Sequence, residues 1–257
     1  MIGRLLAFLC LAAVSLAGHA GHAEGMEQSG TGFFVTSDGY FVTTHHVVGT
    51  ATRVKLTLFN RAVLSAAVVA TDPVHDLALL KVEGEFHALP LADSWSVRRG
   101  WSVMTVGYPQ VFIQGAEPKV TRGIINSLSG INDNPGVFQV DLPIQPGNSG
   151  GPLVTEQGFV IGVIAHRLNS ALLMTNLGAF TQNVNYAVKS EHLLDLIDRF
   201  PHVRSRIPAK PRRPVSSFPA LTEYVEAATA IVWVASDGAL VKGDTEIPMA
   251  LPAADQQ

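Results

Sequence analysis

The sequence predicts an all-β fold with one helix near its end, and three observations carry that expectation. From about Gly30 to Val188 the apolar and β-branched runs are short and are bounded by Gly, Pro, Asn or Asp. Asp38-Gly39 separates Gly32–Thr36 from Tyr40–Thr43, and Asp-Gly between two such runs is the strongest short-range hairpin signal. No long segment carries a 3.6-residue apolar period before Ser190–Arg199. Strands without intervening helices pack as sandwiches or barrels and not as βαβ units.

The elements follow in order. After the first hairpin, strands are expected over Arg53–Phe59, Val63–Thr71, Leu77–Val82, Ser102–Tyr108, Lys119–Leu128, Phe138–Leu142, Leu153–Thr155 and Phe159–His166. Phe33, Phe34 and Tyr40 read as core. In the helix, Leu193, Leu194, Ile197 and Phe200 share one face, with Ser190 as the expected cap, Glu191 in the first turn and Arg199 near the end.

Composition narrows the class further. Of 257 residues, 47% are hydrophobic and 15% charged, against about 25% charged in an average soluble chain. A charge-rich disordered protein is excluded. A net charge of −3 and a pI near 6.3 leave no electrostatic footprint for nucleic acid. The length suits one large β unit or two ordinary domains, with enough chain for a core that needs no staples.

The N-terminus reads as an address. Arg4 precedes an uncharged run from Leu5 to Ala17, then small residues with Gly-x-Ala stops ending at Ala20 and Ala23. This is the pattern of a secretory signal peptide over residues 1–23, and the run is shorter than the roughly 20 residues that span a bilayer. A secreted or periplasmic protein without stable membrane insertion is expected. The single cysteine, Cys10, lies in this segment, so the mature chain offers neither a disulfide framework nor a thiol nucleophile.

At the other end, residues 201–214 hold four prolines and Arg204, Arg206, Lys210, Arg212 and Arg213 without an acid, which reads as a stiff basic linker. Residues 215–257 carry six acids against Lys242 alone and form a short C-terminal extension.

Three local patterns carry chemistry: Thr43-Thr44-His45-His46-Val47-Val48, Asp72-Pro73-Val74-His75-Asp76-Leu77, and Gln145-Pro146-Gly147-Asn148-Ser149-Gly150-Gly151-Pro152. A serine hydroxyl needs a base to become a nucleophile, and the oxyanion it creates needs donors already aimed at it. Gly147 can take a backbone conformation closed to other residues, so its N–H and that of Ser149 could share one hole. Either His45 or His46 could serve as the base near neutral pH. Asp76, at the mouth of the buried Leu77–Leu80 run, could orient that imidazole, whereas Asp72 before Pro73 fits a turn. The chain order His, Asp, Ser is that of the chymotrypsin-like double β-barrel; other hydrolase scaffolds use other orders. His75 with His45 and His46 lacks paired metal-ligand spacing, so neither a metal nor a cofactor is expected.

With these motifs in view, the chain from about Gly30 to Phe200 resembles trypsin-like serine peptidases of the HtrA/Deg type. The matching stretches include Gly-Thr-Gly-Phe-Phe-Val at 30–35, His45-His46-Val47-Val48-Gly49, Asp76-Leu77-Ala78-Leu79-Leu80, Val106-Gly107-Tyr108-Pro109, Pro146–Leu153 and Asn183–Ser190. The resemblance selects His46 over His45 as base, Asp76 as its orienting carboxylate and Ser149 as nucleophile, with Gly147 and Ser149 as oxyanion donors. It also implies two barrels over roughly 26–95 and 96–188, a helix over 190–200, a peptidase domain over 26–200, and substrate contacts from Pro143, Ala165, His166 and Arg167. Polypeptides are the implied substrates.

Some features depart from that pattern. No PDZ-type peptide-binding pattern follows the helix, Asn148 and not aspartate precedes Ser149, and no basic-Ile-Val-Gly-Gly junction lies near the N-terminus. A charge-pair zymogen switch therefore has no parts, and activity is expected to follow the order of the loop around Gly147. A strand that would close the first barrel before Gly30 is also missing, while a look-alike stands at Leu221–Val234. Two readings of this extension stand: a tail packed loosely elsewhere or a truncated second module, which is the default, and Ile231–Val234 docking back as that strand, motivated by the aggregation hazard of an open barrel edge. Two rival readings remain at this level: a catalytically silent peptide-binding or chaperone-like protein on the same scaffold, and an esterase.

Overall fold

Short strands with apolar residues on both faces build two closed barrels that share a third core. The computed structural model describes residues 26–165, 184–212 and 215–235. The first barrel contains β1 (Met26–Phe34), β2 (Tyr40–Thr43), β3 (Arg53–Leu58), β4 (Val63–Asp72) and β5 (Leu77–Lys81). The second contains β6 (Ser102–Gly107), β7 (Lys119–Ser127), β8 (Val137–Val140), β9 (Pro152–Thr155), β10 (Val160–Ile164) and β11 (Asn185–Lys189). One-turn helices α1 (His45–Val48) and α2 (Val111–Gln114) interrupt them.

Successive strand residues point to opposite faces, and here both faces are apolar. Phe34, Phe41, Ala78 and Leu80 fill the first barrel. Their neighbours Phe33, Val42, Leu77 and Leu79 join Met104, Val106 and Val154 in a core shared by both barrels. Val103, Ile125, Phe138, Val140 and Ile161 fill the second barrel. The near-continuous apolar runs at 77–80 and 160–164 are thus strands buried on both sides.

The first barrel closes through β12 (Thr229–Ala235), in the order β1-β12-β3-β4-β5-β2. Antiparallel pairing sets Gly30 opposite Val232 and Thr31 opposite Ile231 on one side, and Val232 opposite Leu56 on the other. Ala230, Val232 and Val234 point into the barrel, while Trp233 donates Nε1–H to Thr57 Oγ1 at 2.9 Å. Pairing with β12 from Gln28 to Phe33 explains why β1 begins at Met26, earlier than its sequence suggests.

Other boundaries also differ from the sequence reading. β11 lies over Asn185–Lys189, where a polar residue at each end hides a strand that pairs with both β8 and β10. Helix α3 runs Ser190–Asp198, with Lys189 at the cap position and no side-chain cap bond. Ser190 is not the cap: its Oγ donates to Ala92 O at 2.6 Å, tying the helix to the crossover between the barrels. The buried stripe is Leu193, Leu196 and Ile197, with Leu194 only half-buried.

The basic stretch after α3 starts with a helical turn, α4 (Pro201–Arg204), whose Val203 is fully buried. Arg206 pairs with Asp38 in the first hairpin turn, and Tyr40 OH bonds His202 Nε2 at 2.9 Å. This part of the stretch is anchored, because Arg206 and His202 find partners on the first barrel and Val203 enters the core. Helix α5 (Phe218–Glu226) then starts at Ser217, whose Oγ accepts from Ala220 N at 3.3 Å. Leu221 and Val225 enter the core between the barrels. Among the described residues, no helix is long and apolar enough to cross a membrane.

Candidate active site

His46 and Asp76 meet because two chain reversals end beside each other. β2 stops at Thr43, Thr44 is extended (φ −90°, ψ 150°), and α1 lasts one turn before Gly49 ends it at φ 55°. Asp72, at the end of β4, accepts from Val74 N at 3.0 Å and His75 N at 3.2 Å. These bonds make the turn that its Asp-Pro sequence suggests. Asp76 follows with φ 57°, in the left-handed region that aspartate enters more readily than most residues.

That conformation lets Asp76 grip α1 at three points. Its carbonyl accepts from His45 N at 3.1 Å. Its carboxylate accepts from His46 N at 2.8 Å and from His46 Nδ1 at 2.6 Å. The two side chains are 12% and 20% exposed, so water competes weakly for the contact. With Nδ1 donating to a carboxylate, Nε2 of the neutral ring is left as the basic nitrogen. His45 is not so placed: its Nδ1 is buried without a partner among the described residues.

The serine loop reaches the same place from the second barrel. Ser149 is 4% exposed, and its carbonyl accepts from Thr31 N of β1 at 2.9 Å. The approach is so close that a Cβ at Gly30 would lie 2.6 Å from the Val47 side chain and 3.2 Å from Ser149 O. α1 and the serine loop thus flank one residue of β1, which only glycine can occupy. Among the described residues, the Ser149 hydroxyl has no hydrogen-bond partner.

Gly147 has φ 100°, and a Cβ there would lie 2.6 Å from Tyr108 O. Three bonds hold the loop's shape: Gln110 N to Pro146 O at 2.9 Å, Asn148 N to Gln145 O at 3.0 Å and Gly151 N to Asn148 O at 3.0 Å. Peptide planarity points each N–H opposite its own carbonyl. The Gly147 and Ser149 N–H groups therefore face away from Pro146 O and Asn148 O. Asn148 itself is buried against Gly107.

The candidate substrate residues divide. Ala165, just past β10, is fully buried and donates its N–H to Tyr186 O at 3.1 Å. β10 touches the serine loop directly, since Gly150 N donates to Ile164 O at 2.9 Å. Pro143 is exposed, one residue beyond Leu142, whose carbonyl accepts from Asn185 Nδ2 at 2.9 Å. His166 and Arg167 lie outside the described residues.

Beside Asp76, the rings of His75 and His192 stack at 3.8 Å and 12°, joining the β4–β5 turn to α3. Burial opposes ionisation of Asp72, yet hydrogen bonds from His75 hold its carboxyl below the usual range. Burial pushes the His192 pKa below that of an ordinary histidine; His75 adds to this, and Asp195, Glu191 and Asp72 oppose it. Folded His192 thus takes up a proton less readily than the unfolded chain does. Its contribution to stability is full above the ordinary histidine range and is lost as pH falls through it. The melting temperature should drop between about pH 7.5 and 5.5, and should drop less in His192→Phe, which keeps a ring in the stack. Equal drops in both proteins would show that His192 is not responsible.

Two closed six-stranded barrels, with a His–Asp pair on one and a glycine-rich serine loop on the other, define the chymotrypsin-like fold. The family model described as trypsin-like peptidase domain matches residues 30–163, more than half of the chain. The chain belongs to the trypsin-like peptidase family and is of its HtrA/Deg type. It is similar to the uncharacterized protein y4bJ of Sinorhizobium fredii, with 36% identity over 165 residues, covering 64% of this chain and 26% of that protein. It is also similar to a probable periplasmic serine endoprotease DegP-like of Pseudomonas fluorescens, with 35% identity over 171 residues, covering 65% of this chain and 34% of that one. Among solved structures, the HtrA-type protease AlgW with decapeptide superposes with a TM-score of 0.56 and 27% identity, covering 67% of this chain and 51% of that one. The chain spans only 26% and 34% of the length of those two curated relatives.

Proposed function

We propose that the protein is a serine endopeptidase that cleaves polypeptides through a covalent acyl-enzyme. The observation that carries this reading is the Asp76 carboxylate bonded to both the main chain and Nδ1 of His46, beside the strand that holds Ser149 O. In this reading Ser149 Oγ attacks the peptide carbonyl carbon as His46 Nε2 takes its proton. Asp76 keeps the other ring nitrogen protonated and balances the imidazolium charge. The Gly147 and Ser149 N–H groups stabilise the tetrahedral oxyanion. Collapse expels the amine, which receives the proton from His46; water then enters and repeats the sequence to free the acid. The hydroxyl–imidazole bond is expected to tighten as substrate fills the site, since such contacts are often loose without it.

Exposed Pro143 is the candidate substrate contact this reading keeps among the described residues, whereas Ala165, fully buried with its N–H on Tyr186 O, would act only by backing the serine loop. Residues 1–23 as a signal peptide, together with relatives named as periplasmic, support action in the periplasm. No cofactor enters the scheme.

The test is cleavage-site profiling of a peptide library by the purified protein, read by mass spectrometry, beside a short-chain ester series. Internal peptide cleavage is expected, and Gly147→Ala, which keeps the N–H but forces a Cβ to 2.6 Å from Tyr108 O at a φ of 100°, should slow it by displacing that donor, by up to the roughly 10²- to 10³-fold that a lost oxyanion donor costs. Ester hydrolysis without peptide cleavage would point to an esterase, and no turnover of either to a binding protein.

A further inference from the structure

Thr31 is the residue through which the first barrel grips the serine loop of the second. It is fully buried, and all of its polar atoms are engaged, by the serine loop, the end of β6 and the end of β2. Its N–H donates to Ser149 O at 2.9 Å. Its Oγ1 donates to Gly147 O at 2.7 Å and accepts from Tyr108 N at 3.0 Å. Its carbonyl accepts from Thr43 Oγ1 at 2.7 Å, three residues before His46. Across the sheet it pairs with Ile231 of β12.

The two loop carbonyls that Thr31 holds belong to the peptide units just before Asn148 and just after Ser149. Between them lies the Asn148–Ser149 peptide, whose N–H is a proposed oxyanion donor. Planarity sets Asn148 N–H opposite Gly147 O, so Thr31 Oγ1 on that carbonyl and Gln145 O on that N–H, at 3.0 Å, hold one peptide plane from both sides, directly before the Ser149 peptide. Without the Thr31 hydroxyl, the part-buried Gly147 O would lose this donor, which favours turning the peptide to find another. Tyr108 N, at the end of β6, would lose its acceptor in the same step.

We propose that Thr31 is a positioning residue for the oxyanion loop, its hydroxyl setting the Gly147–Asn148 peptide while its N–H sets Ser149 O. It touches no substrate. The proposal rests on the serine-endopeptidase reading and adds to it a residue upstream of the three motifs, on the strand that β12 backs. Since the oxyanion forms only during acylation and deacylation, loss of the hydroxyl should reduce kcat and leave KM nearly unchanged.

The experiment compares wild type, Thr31→Val and Thr31→Ser in the full chain, reading fluorophosphonate labelling rate, kcat and KM on a cleaved peptide, and melting temperature. Thr31→Val keeps shape without the hydroxyl, and labelling and kcat should each fall on the order of 10- to 100-fold with KM within about twofold. Thr31→Ser keeps the hydroxyl without the methyl and should label within about threefold of wild type. A folded Thr31→Val that labels at the wild-type rate overturns the proposal. So does a folded Thr31→Ser that loses tenfold or more, which would assign the effect to packing. Should Thr31→Val not fold, Thr31→Ser decides by the same threshold. A wild type that does not label at all overturns the peptidase reading itself, an outcome separate from any difference among the variants.

Discussion

Ser149→Ala is expected to abolish fluorophosphonate labelling and to lower polypeptide cleavage by about 10⁶-fold in kcat, the scale of losing a triad nucleophile. The fold should survive the change. Ser149 is held by its carbonyl, on which Thr31 N donates, and its hydroxyl has no partner among the described residues. Alanine therefore deletes no internal bond and leaves a space smaller than a methyl group. Melting temperatures within a few degrees of one another are expected, so that lost activity reports chemistry and not unfolding. Labelling that persists in Ser149→Ala would place the nucleophile elsewhere and remove the basis of the proposed mechanism.

The second large effect concerns stability. A chain ending at Arg212 lacks α5 and β12, and should fail to give a folded protein or melt far below the full chain. Leu221, Val225, Ile231 and Val232 are all buried, and four such side chains contribute about 6–12 kcal/mol at 1.5–3 kcal/mol each. That matches the whole net stability of a typical domain, about 5–15 kcal/mol. Removal also opens the facing edges of β1 and β3, which invites association between molecules. Val232→Asp, which puts a carboxylate inside the barrel without a partner, should reproduce much of the loss. Thermal unfolding followed by circular dichroism checks both variants, and an unchanged midpoint in either would mean that β12 does not close the barrel in solution.

The legible parts of this protein were those whose physics is local. Asp38-Gly39 reads as a turn because a tight hairpin needs a residue free to take positive φ, and Gly39 does so at 100°. The strands of residues 53–58, 63–72 and 77–81 show because their residues alternate or are apolar throughout. The motif around Ser149 was legible for the same reason, since its glycines serve the shape of one loop. Asp72 announced a turn through the proline after it, and its carboxylate does cap that turn.

Other features had no local signature. Ser190 looks like a cap in sequence, but its hydroxyl serves Ala92 98 positions away. β11 is hidden because its identity as a strand comes from β8 and β10. Thr31 is one hydroxyl in a strand, and nothing near it in the chain shows that it bonds Gly147 116 positions later.

The sequence by itself determined the β-rich class, the hairpin, the turn at Asp72 and the residue types that chemistry would require, because each depends on a few consecutive residues. Tertiary structure alone decided how far β1 extends, that the Ser190 hydroxyl serves Ala92 and that Thr31 bonds Gly147. Those outcomes depend on hydrogen bonds and packing between segments far apart in the chain. No local pattern encodes such contacts until the barrels have closed.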